Sequence, residues 1–412
     1  MSVTITVHRG TQQIGGSCIE IKSSTGQRLI LDVGRPLDAG REAVNLLPVS
    51  LDKSELATVI ISHSHQDHWG LINELPASWR IFASEGTATL IRITSQFMRT
   101  KLRDDLETWS RNCKNFTVEP FLIRPILTDH SAFDAQMLLI EIEGRRILYS
   151  GDFRKHGRKS SLVDALIRNP PPNIDVLIIE GTNLGSDKPV VHEWELEESF
   201  VSLFKTTTGR VFVSWSAQNI DRTVTLYRAA KRTGRTLAID LYTADVLDRI
   251  SAGTRLPRAG FPNLEVVITR AMAAFYKKSG RDEFIQRMLP NAISAKKLVE
   301  GRHVIMLRRS LMNDFKRAGV CPTPNDSYNF SMWKGYISEN DFSAPLKWCE
   351  DGGARIEYLH TSGHASEADL RALARAVAAK HVIPVHGSTW DENSSGFDSL
   401  VRLADGEEMV LQ

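Results

Sequence analysis

Residues 62–70 read SHSHQDHWG, and this stretch places three histidines and an aspartate within six positions. The chain has only twelve histidines in 412 residues. The stretch follows the apolar run ATVII (57–61), which is typical of a buried strand. Imidazoles this close together repel one another when protonated, whereas a shared metal ion binds them in their neutral form. The stretch therefore predicts a metal site in a loop at the end of a strand.

The spacing within this stretch indicates two ions. Side chains along a strand or extended turn alternate in direction, so His63 and His65 can reach one ion together. Asp67 and His68 follow at the turn before a predicted helix and are directed towards a neighbouring ion. One motif cannot fill two sites, so other parts of the chain must supply ligands.

Three further candidate ligands stand at the ends of strand-like runs: His130 in LTDHSAF, Asp152 in YSGDFR and His386 in IPVHG. Taken alone, His130 and His386 are more simply explained as ordinary loop histidines. Together with the first motif they bring the candidates to seven nitrogen and oxygen ligands without a cysteine. That set is typical of a catalytic centre with two zinc ions, bridged by Asp152 and a hydroxide.

The hydrophobic pattern changes twice along the chain. Residues 1–184 read as strands interrupted by a helical stretch near 85–110. Residues 185–344 alternate helix and strand, as in a parallel α/β unit, and a sheet-like pattern returns at 345–412. We expect one α/β domain made of both chain ends, with a second domain inserted into it.

Charge and composition narrow the class of protein. Residues 205–320 hold 22 lysines and arginines against 9 acidic residues, while the remainder holds 29 against 40. This surplus is either a solvated surface or a surface for an anionic partner such as nucleic acid. The N-terminal residues do not resemble a signal peptide, no run approaches 18 apolar residues, and the four cysteines form no CxxC pair. We therefore expect a cytoplasmic protein without a membrane span.

The motifs together resemble the metallo-β-lactamase superfamily, in which HxHxDH is followed by a histidine, an aspartate and a final histidine. They are most similar to its β-CASP branch, RNA- and DNA-processing nucleases that include ribonuclease J and the cleavage-and-polyadenylation endonuclease. The acidic motif of that branch matches Glu180 in VLIIEGTNLG, its next motif matches His364 in HTSGHAS, and its third matches His386. The resemblance implies an αββα metallo-β-lactamase sandwich with an inserted parallel α/β β-CASP domain.

The resemblance also implies residue roles. The ligands of one zinc ion would be His63, His65 and His130, and those of the other Asp67, His68 and His386, with Asp152 between the ions. Asp32, in LILDVG, would support the ligands, and Glu180 would orient a ligand histidine. The alternative for Asp32 is an ordinary turn aspartate after a strand, and the alternative for Glu180 is a carboxylate that merely ends a strand. His364 would contact the scissile phosphate or act as general acid, unless it is structural.

The implied activity is a zinc-dependent ribonuclease, which hydrolyses RNA phosphodiester bonds with a hydroxide that bridges the metal ions. Manganese is the alternative metal. The catalytic residues would be Asp67, Asp152, Glu180 and His364. The histidine at position 386 favours single-stranded RNA as partner, because Artemis-like DNA nucleases tend to have valine at that motif. A DNA nuclease of the same architecture, a catalytically silent nucleic-acid-binding subunit and a small-molecule hydrolase are the alternatives.

Two segments are candidate substrate contacts. Ser214, Ser216, Gln218 and Asn219 lie at a strand-to-helix junction, where a helix N-terminus can bind phosphate. Arg154 follows Asp152 in a basic loop that either guides a phosphate backbone or is simply solvated.

Overall fold

Apolar runs bounded by glycine, aspartate and serine form the strands of this protein, whose computed structural model describes residues 2–40 and 42–411. Numbered along the chain, the strands are β1 (Val3–Arg9), β2 (Cys18–Lys22), β3 (Arg28–Leu31), β4 (Thr58–Ile61), β5 (Arg80–Ser84), β6 (Leu106–Trp109), β7 (Phe116–Val118), β8 (Phe121–Leu127), β9 (Gln136–Ile142), β10 (Arg145–Tyr149), β11 (Val176–Glu180), β12 (Val211–Ser214), β13 (Leu237–Asp240), β14 (Leu264–Val267), β15 (Ala292–Ile293), β16 (Val304–Met306), β17 (Ser327–Phe330), β18 (Arg355–Glu357), β19 (His381–Val385) and β20 (Glu408–Leu411). The helices are α1 (Gln66–Trp69), α2 (Glu85–Met98), α3 (Ser160–Arg168), α4 (Glu193–Thr206), α5 (Ile220–Arg232), α6 (Leu241–Ile250), α7 (Arg270–Lys278), α8 (Asp282–Met288), α9 (Arg309–Arg317), α10 (Asn340–Asp351), α11 (Glu367–Val377) and α12 (Trp390–Asn393).

The chain divides into two units, and the first combines both chain ends: it runs to Pro189 and resumes at Gly363. It contains two sheets, with strand orders β20-β1-β2-β3-β4-β5-β6 and β19-β11-β10-β9-β8-β7. Apolar side chains that alternate along β1, β2, β9 and β10 fill the space between the sheets. This central core accounts for the continuous apolar strands in the sequence.

Helices cover the outer faces of the two sheets in the first unit. Ile91 of α2 packs with Val59 and Ile81 on the outer face of the first sheet. On the outer face of the second sheet, Leu370 of α11 packs with Leu148 and Leu177. The result is the four-layer αββα sandwich that the resemblance implies, and the predicted α/β fold class is confirmed.

The second unit spans Val190–Ser362 and is built on one sheet of order β15-β14-β13-β16-β12-β17-β18. Every pairing in this sheet is parallel. Crossover helices connect the strands, as the alternating helix and strand pattern predicts. Side chains at the strands' carboxyl ends therefore share one edge of this sheet.

The bounds expected for the inserted segment and for one helix differ from the structure. The inserted segment was expected to span 185–344, but the second unit spans Val190–Ser362, and residues 345–362 belong to it because β18 extends its sheet beside β17. The helix expected over 85–110 ends at Met98, where Arg99 adopts a left-handed conformation. Residues 106–109 instead form β6, which pairs with β5.

Across residues 2–40 and 42–411, no helix combines the length and the apolar character needed to cross a membrane.

Candidate metal centre

The predicted ligands follow the carboxyl ends of strands in the two sheets of the first unit. The stretch SHSHQDHWG leaves β4, Asp152 follows β10, and His386 follows β19. Because β3 and β4 run parallel, as do β10, β11 and β19, the loops at their carboxyl ends lie at one edge of each sheet. His130 joins them from the loop after β8.

The structure brings all seven predicted ligands together in overlapping groups. One group consists of His63, His65, His130 and Asp152, and another of Asp67, His68 and His386. A third contains Asp152, Glu180, His364 and His386. Within each group the candidate ligand atoms lie within 4.8 Å of one another. Asp152 and His386 each belong to two groups, so the cluster is continuous.

Asp152 lies at the centre of this cluster. Its Oδ2 atom is 3.5 Å from Nε2 of His63, 3.2 Å from Nε2 of His68 and 3.8 Å from Nε2 of His386. On the His386 side, Nε2 lies 3.3 Å from Oδ2 of Asp67. A single carboxylate therefore faces histidines of both ligand groups.

Buried polar atoms without hydrogen-bond partners indicate that the cluster can bind divalent cations. Among the described residues 2–40 and 42–411, Nε2 of His63 and both carboxylate oxygens of Asp152 are buried and have no hydrogen-bond partner. Burying a carboxylate without such partners costs several kcal/mol, so an arrangement like this is normally completed by a cation. All the surrounding donors are nitrogen and oxygen atoms, which suit zinc or manganese. The structure therefore supports metal binding at this cluster.

Hydrogen bonds orient three of the imidazoles with Nε2 towards the cluster. Nδ1 of His68 donates to Oδ2 of Asp32 at 2.8 Å, and Nδ1 of His63 lies 3.0 Å from Oγ of Ser62. Nδ1 of His386 lies 2.9 Å from Oγ1 of Thr182. Engaging Nδ1 selects the tautomer whose Nε2 lone pair is available to a metal ion.

The electrostatic environment favours the neutral form of three candidate ligand histidines and the ionised form of Asp152. His68 differs, because Asp152, Asp32 and Asp67 raise its pKa well above the ordinary value in spite of burial, so metal binding there would release a proton. Burial lowers the pKa of His65 to about 4 and holds the pKa values of His63 and His130 well below their ordinary value. Burial alone would raise the pKa of Asp152, but His386, His68 and His364 hold it well below its usual range. Neutral imidazoles and an ionised carboxylate are the forms that bind a cation.

Asp32 supports the cluster through four hydrogen bonds. Besides His68, its carboxylate accepts from the backbone N–H of Ser62 at 2.7 Å, from Oγ of Ser62 at 2.7 Å and from the Tyr149 hydroxyl at 2.7 Å. Asp32 is fully buried and has a left-handed backbone (φ 60°). Asp32 therefore lies directly behind the candidate ligand His68, and its supporting role stays a prediction.

Glu180 has a different partner from the one expected. The prediction was that it orients a ligand histidine, but its Oε2 accepts from Nδ1 of His364 at 3.0 Å. Its Oε1 accepts from the backbone N–H of Phe153 at 2.9 Å. Thr182, two residues further on, supports His386 instead. The His364 side chain is 20% exposed, whereas those of His63, His68 and His386 are 0–2% exposed.

Most of the expected substrate contacts in the second unit have structural partners. Ser214 is buried, donates to the Leu307 carbonyl and accepts from the Tyr328 hydroxyl, because its strand lies inside the sheet. The Asn219 side chain caps α5 by accepting from the backbone N–H of Arg222. Neither side chain is positioned as a surface phosphate donor. The other two residues of that stretch are the half-buried Gln218, which donates to the Tyr242 hydroxyl, and the exposed Ser216.

Arg154 is neither a phosphate guide nor part of a solvated loop. Its side chain is fully buried and pairs with Asp129, one residue before the candidate ligand His130. Pairing of a buried guanidinium with a buried carboxylate explains why the basic residue lies inside. The sequence-based prediction of a substrate contact at Arg154 is therefore wrong.

Thr182, Ser62 and Tyr149 support the cluster but were missed by the sequence analysis. Thr182 lies two residues after Glu180 and Ser62 immediately precedes His63, so their closeness to candidate site residues was a signal. Tyr149 lies three residues before Asp152, but its hydrogen-bond partner Asp32 is 117 positions away, so this contact could not be read from the sequence.

Comparisons with known proteins agree with this geometry. Residues 36–238 match the family described as "Beta-lactamase superfamily domain", and residues 353–391 match "Zn-dependent metallo-hydrolase RNA specificity domain". A crystal structure of a protein of unknown function from Enterococcus faecalis V583 is similar over 100% of both chains, with a TM-score of 0.77 and 18% identity. At that identity the structural likeness establishes the fold alone.

Several ribonucleases are similar in sequence. Ribonuclease J of Helicobacter pylori is 24% identical over 409 residues, which cover 94% of this chain and 56% of that protein. An RNase J-like protein of Methanocaldococcus jannaschii is 32% identical over 191 residues, 44% of this chain and 42% of that protein. Ribonuclease J of Sinorhizobium meliloti is 21% identical over 388 residues, 87% of this chain and 64% of that protein. The chain thus spans slightly more than half the length of the Helicobacter relative. The two family models and the ribonuclease J relatives together support a place for this chain in the ribonuclease J-like β-CASP branch of the metallo-β-lactamase superfamily.

Proposed function

We propose that this protein is a metal-dependent ribonuclease that hydrolyses RNA phosphodiester bonds at the His/Asp cluster of the first unit. One observation carries the proposal: the Asp152 carboxylate lies within 4.8 Å of candidate ligand atoms of His63, His65 and His130, and its Oδ2 is also 3.2 Å from His68 and 3.8 Å from His386. We assign His63, His65 and His130 to one ion, Asp67, His68 and His386 to the other, and Asp152 to both. Two zinc ions are the proposed cofactors, with manganese as the alternative.

Bound divalent cations would supply activation of water and neutralisation of charge on a phosphoryl oxygen. Asp152 and Asp67 would hold the cations, and Asp32 would fix His68 in the tautomer that binds one of them. A phosphodiester gains most from such a centre, because negative charge increases on its oxygens during in-line attack.

His364 is proposed to contact the scissile phosphate or to deliver a proton to the leaving oxygen. Its partial exposure and its bond to Glu180 support this role, because a substrate-contacting imidazole must be reachable and held in one orientation. Glu180 would then be a positioning residue for His364. RNA is favoured over DNA by the similarity of residues 353–391 to an RNA specificity domain and by the ribonucleases among the relatives.

The proposal is tested with end-labelled RNA and DNA strands of matched sequence, incubated with wild type, Asp152→Asn and His364→Ala. We expect RNA cleavage by wild type only, its loss with a chelator, and reduced metal content by mass spectrometry in Asp152→Asn alone. Asp164→Asn is the control, because Asp164 lies on α3, is 44% exposed and pairs with Lys155 outside the cluster. Undiminished cleavage by Asp152→Asn would defeat the proposed centre, and cleavage of DNA only would defeat the substrate assignment.

A further inference from the structure

Five aromatic side chains of the second unit form one contiguous group near the carboxyl ends of β17 and β18. They are Phe330, Trp333, Tyr336, Phe342 and Tyr358, and we call them the aromatic cluster. Ring centroids are 5.3 Å apart for Trp333 and Tyr336, 5.7 Å for Tyr336 and Phe342, 5.9 Å for Phe330 and Phe342, and 6.4 Å for Phe330 and Tyr358. Ring contacts at these distances favour defined relative orientations.

Three rings of the aromatic cluster lie at the surface. Phe330 is 2% exposed and anchors the group, whereas Trp333 is 57%, Tyr336 37% and Tyr358 36% exposed. Adjacent exposed aromatic rings are uncommon on a protein surface and mark places where another molecule binds. The cluster is therefore a candidate binding surface.

The indole of Trp333 is supported by the backbone beneath it. A Cβ atom at Gly335 would lie 2.1 Å from the Trp333 ring, so only glycine lets the indole rest against this turn. The Tyr336 ring meets the indole edge-on, at an interplanar angle of 88°. The Tyr358 hydroxyl donates a hydrogen bond to the Met332 carbonyl at 2.9 Å, and this bond restrains the Tyr358 ring. A ring held in this way loses little conformational entropy when a ligand stacks on it.

Basic side chains flank the aromatic cluster. Nζ of Lys334 lies 4.4 Å from the centroid of the Tyr358 ring. Helix α9 carries the exposed Arg309, and it packs beside α10, which contributes Phe342 to the cluster. Arg309 reaches the first turn of α10 through a 3.1 Å contact to Asp341. Aromatic rings beside exposed cations complement the two parts of a nucleic-acid strand, its bases and its phosphates.

We propose that the aromatic cluster binds single-stranded RNA by stacking bases on Trp333 and its neighbours, while Lys334 and Arg309 contact phosphates. This inference rests on the proposed ribonuclease function for the identity of the strand. Stacking tolerates any sequence, because every base has a π face, so the surface would hold RNA without selecting a sequence.

The test measures binding of a fluorescein-labelled oligoadenylate and of an abasic strand of equal length, with a chelator present so that both stay intact. We expect Trp333→Ala to weaken oligoadenylate binding about 10-fold and to leave binding of the abasic strand unchanged, since only a strand with bases can stack on the indole. Trp333→Phe should restore most of the affinity. Gly335→Ala, which displaces the indole without removing it, should weaken binding as Trp333→Ala does.

Trp194→Ala is the matched control, because Trp194 is 62% exposed in the same unit and is not part of the aromatic cluster. Unchanged oligoadenylate affinity in Trp333→Ala, or an equal loss for the abasic strand, would overturn the inference. The inference would also be overturned if Trp333→Ala changed the oligomeric state in sedimentation but left RNA binding unchanged. The surface would then be a contact between copies of the chain. Because binding is measured without cleavage, a wild type that binds through Trp333 but cuts nothing defeats only the proposed function.

Discussion

At the scale of single residues, the centre depends as much on the groups behind the ligands as on the ligands. Asp32 and His386 both adopt left-handed backbone conformations, with φ values of 60° and 51°, which non-glycine residues rarely do. Such strain persists where the surrounding structure stabilises it, and it concentrates at functional sites. Here it turns one carboxylate towards His68 and one imidazole towards Asp67.

Replacing Asp32 by Asn should lower metal affinity about 10- to 100-fold, the usual effect of losing a carboxylate behind a ligand histidine. The His68 imidazole would lose the acceptor that fixes its tautomer. Competitive titration with a chromophoric chelator measures the affinity. Tyr149→Phe, which removes one hydrogen bond but keeps the Asp32 carboxylate, should have a smaller effect. Equal metal affinity in wild type and Asp32→Asn would show that the carboxylate is dispensable.

Replacing Glu180 by Gln should leave metal content unchanged and reduce RNA cleavage mainly through kcat. The amide retains an oxygen towards His364 but loses the negative charge that holds this imidazole in place. Steady-state kinetics and metal analysis of the same sample separate the two effects. If Glu180→Gln instead loses metal, Glu180 is a ligand and its assignment as a positioning residue is wrong.

At the scale of elements, short connections place the ligands because backbones pass very close to one another. A Cβ atom at Gly34 would lie 1.6 Å from the Asp67 carbonyl oxygen, and the Gly34 N–H donates to the Ser17 carbonyl at 2.9 Å. The loop after β3 thus contacts the backbone of α1, the helix that carries Asp67 and His68. Residue 34 must therefore be glycine for α1 to occupy its position.

Gly34→Ala should destabilise the first unit by about 3 kcal/mol and abolish metal binding, since neither backbone can move without displacing ligands. Gly40→Ala is the control, because a Cβ atom at that position meets nothing within 4 Å. Thermal unfolding and metal analysis measure both properties. A Gly34→Ala protein with wild-type stability and metal content would contradict the close approach.

The antiparallel strands β1, β2 and β3 contain a buried ion pair whose contribution to stability depends on pH. Burial alone would raise the pKa of Glu20, but hydrogen bonds from His8 and Arg28 lower it to about 2. The Arg28 guanidinium contacts both Glu20 oxygens, at 2.9 and 2.7 Å. A carboxylate whose pKa is lower in the folded protein stabilises the fold at pH values above its pKa in the unfolded chain, which is near 4.5 for Glu20. This contribution is lost as the pH falls towards 2.

Glu20→Gln should therefore lower the free energy of unfolding by about 2–3 kcal/mol at pH 7, and the difference from wild type should shrink between pH 4.5 and 2. Urea unfolding at several pH values measures this difference. A gap between the two proteins that stays constant down to pH 2 would show that packing, and not charge, is lost in the variant.

At the scale of the whole molecule, local patterns were predictable and long-range partners were not. The HxHxDH stretch, the strand-end positions of Asp152 and His386, and the alternating helices and strands of the second unit are short-range features. By contrast, the Thr182–His386 contact joins positions 204 apart, and burial of Arg154 depends on Asp129. The end of the inserted unit was misplaced because residues 355–357 read as a strand of either unit until β17 is seen beside them.

The central proposal is that two divalent cations share the carboxylate of Asp152 within one cluster of seven candidate ligands. The most direct measurement is anomalous diffraction at the manganese absorption edge from crystals grown with Mn²⁺. We expect two peaks, one beside His63, His65 and His130 and the other beside Asp67, His68 and His386, with Asp152 contacting both. A single peak, or two peaks of which only one lies within bonding distance of Asp152, would contradict the account.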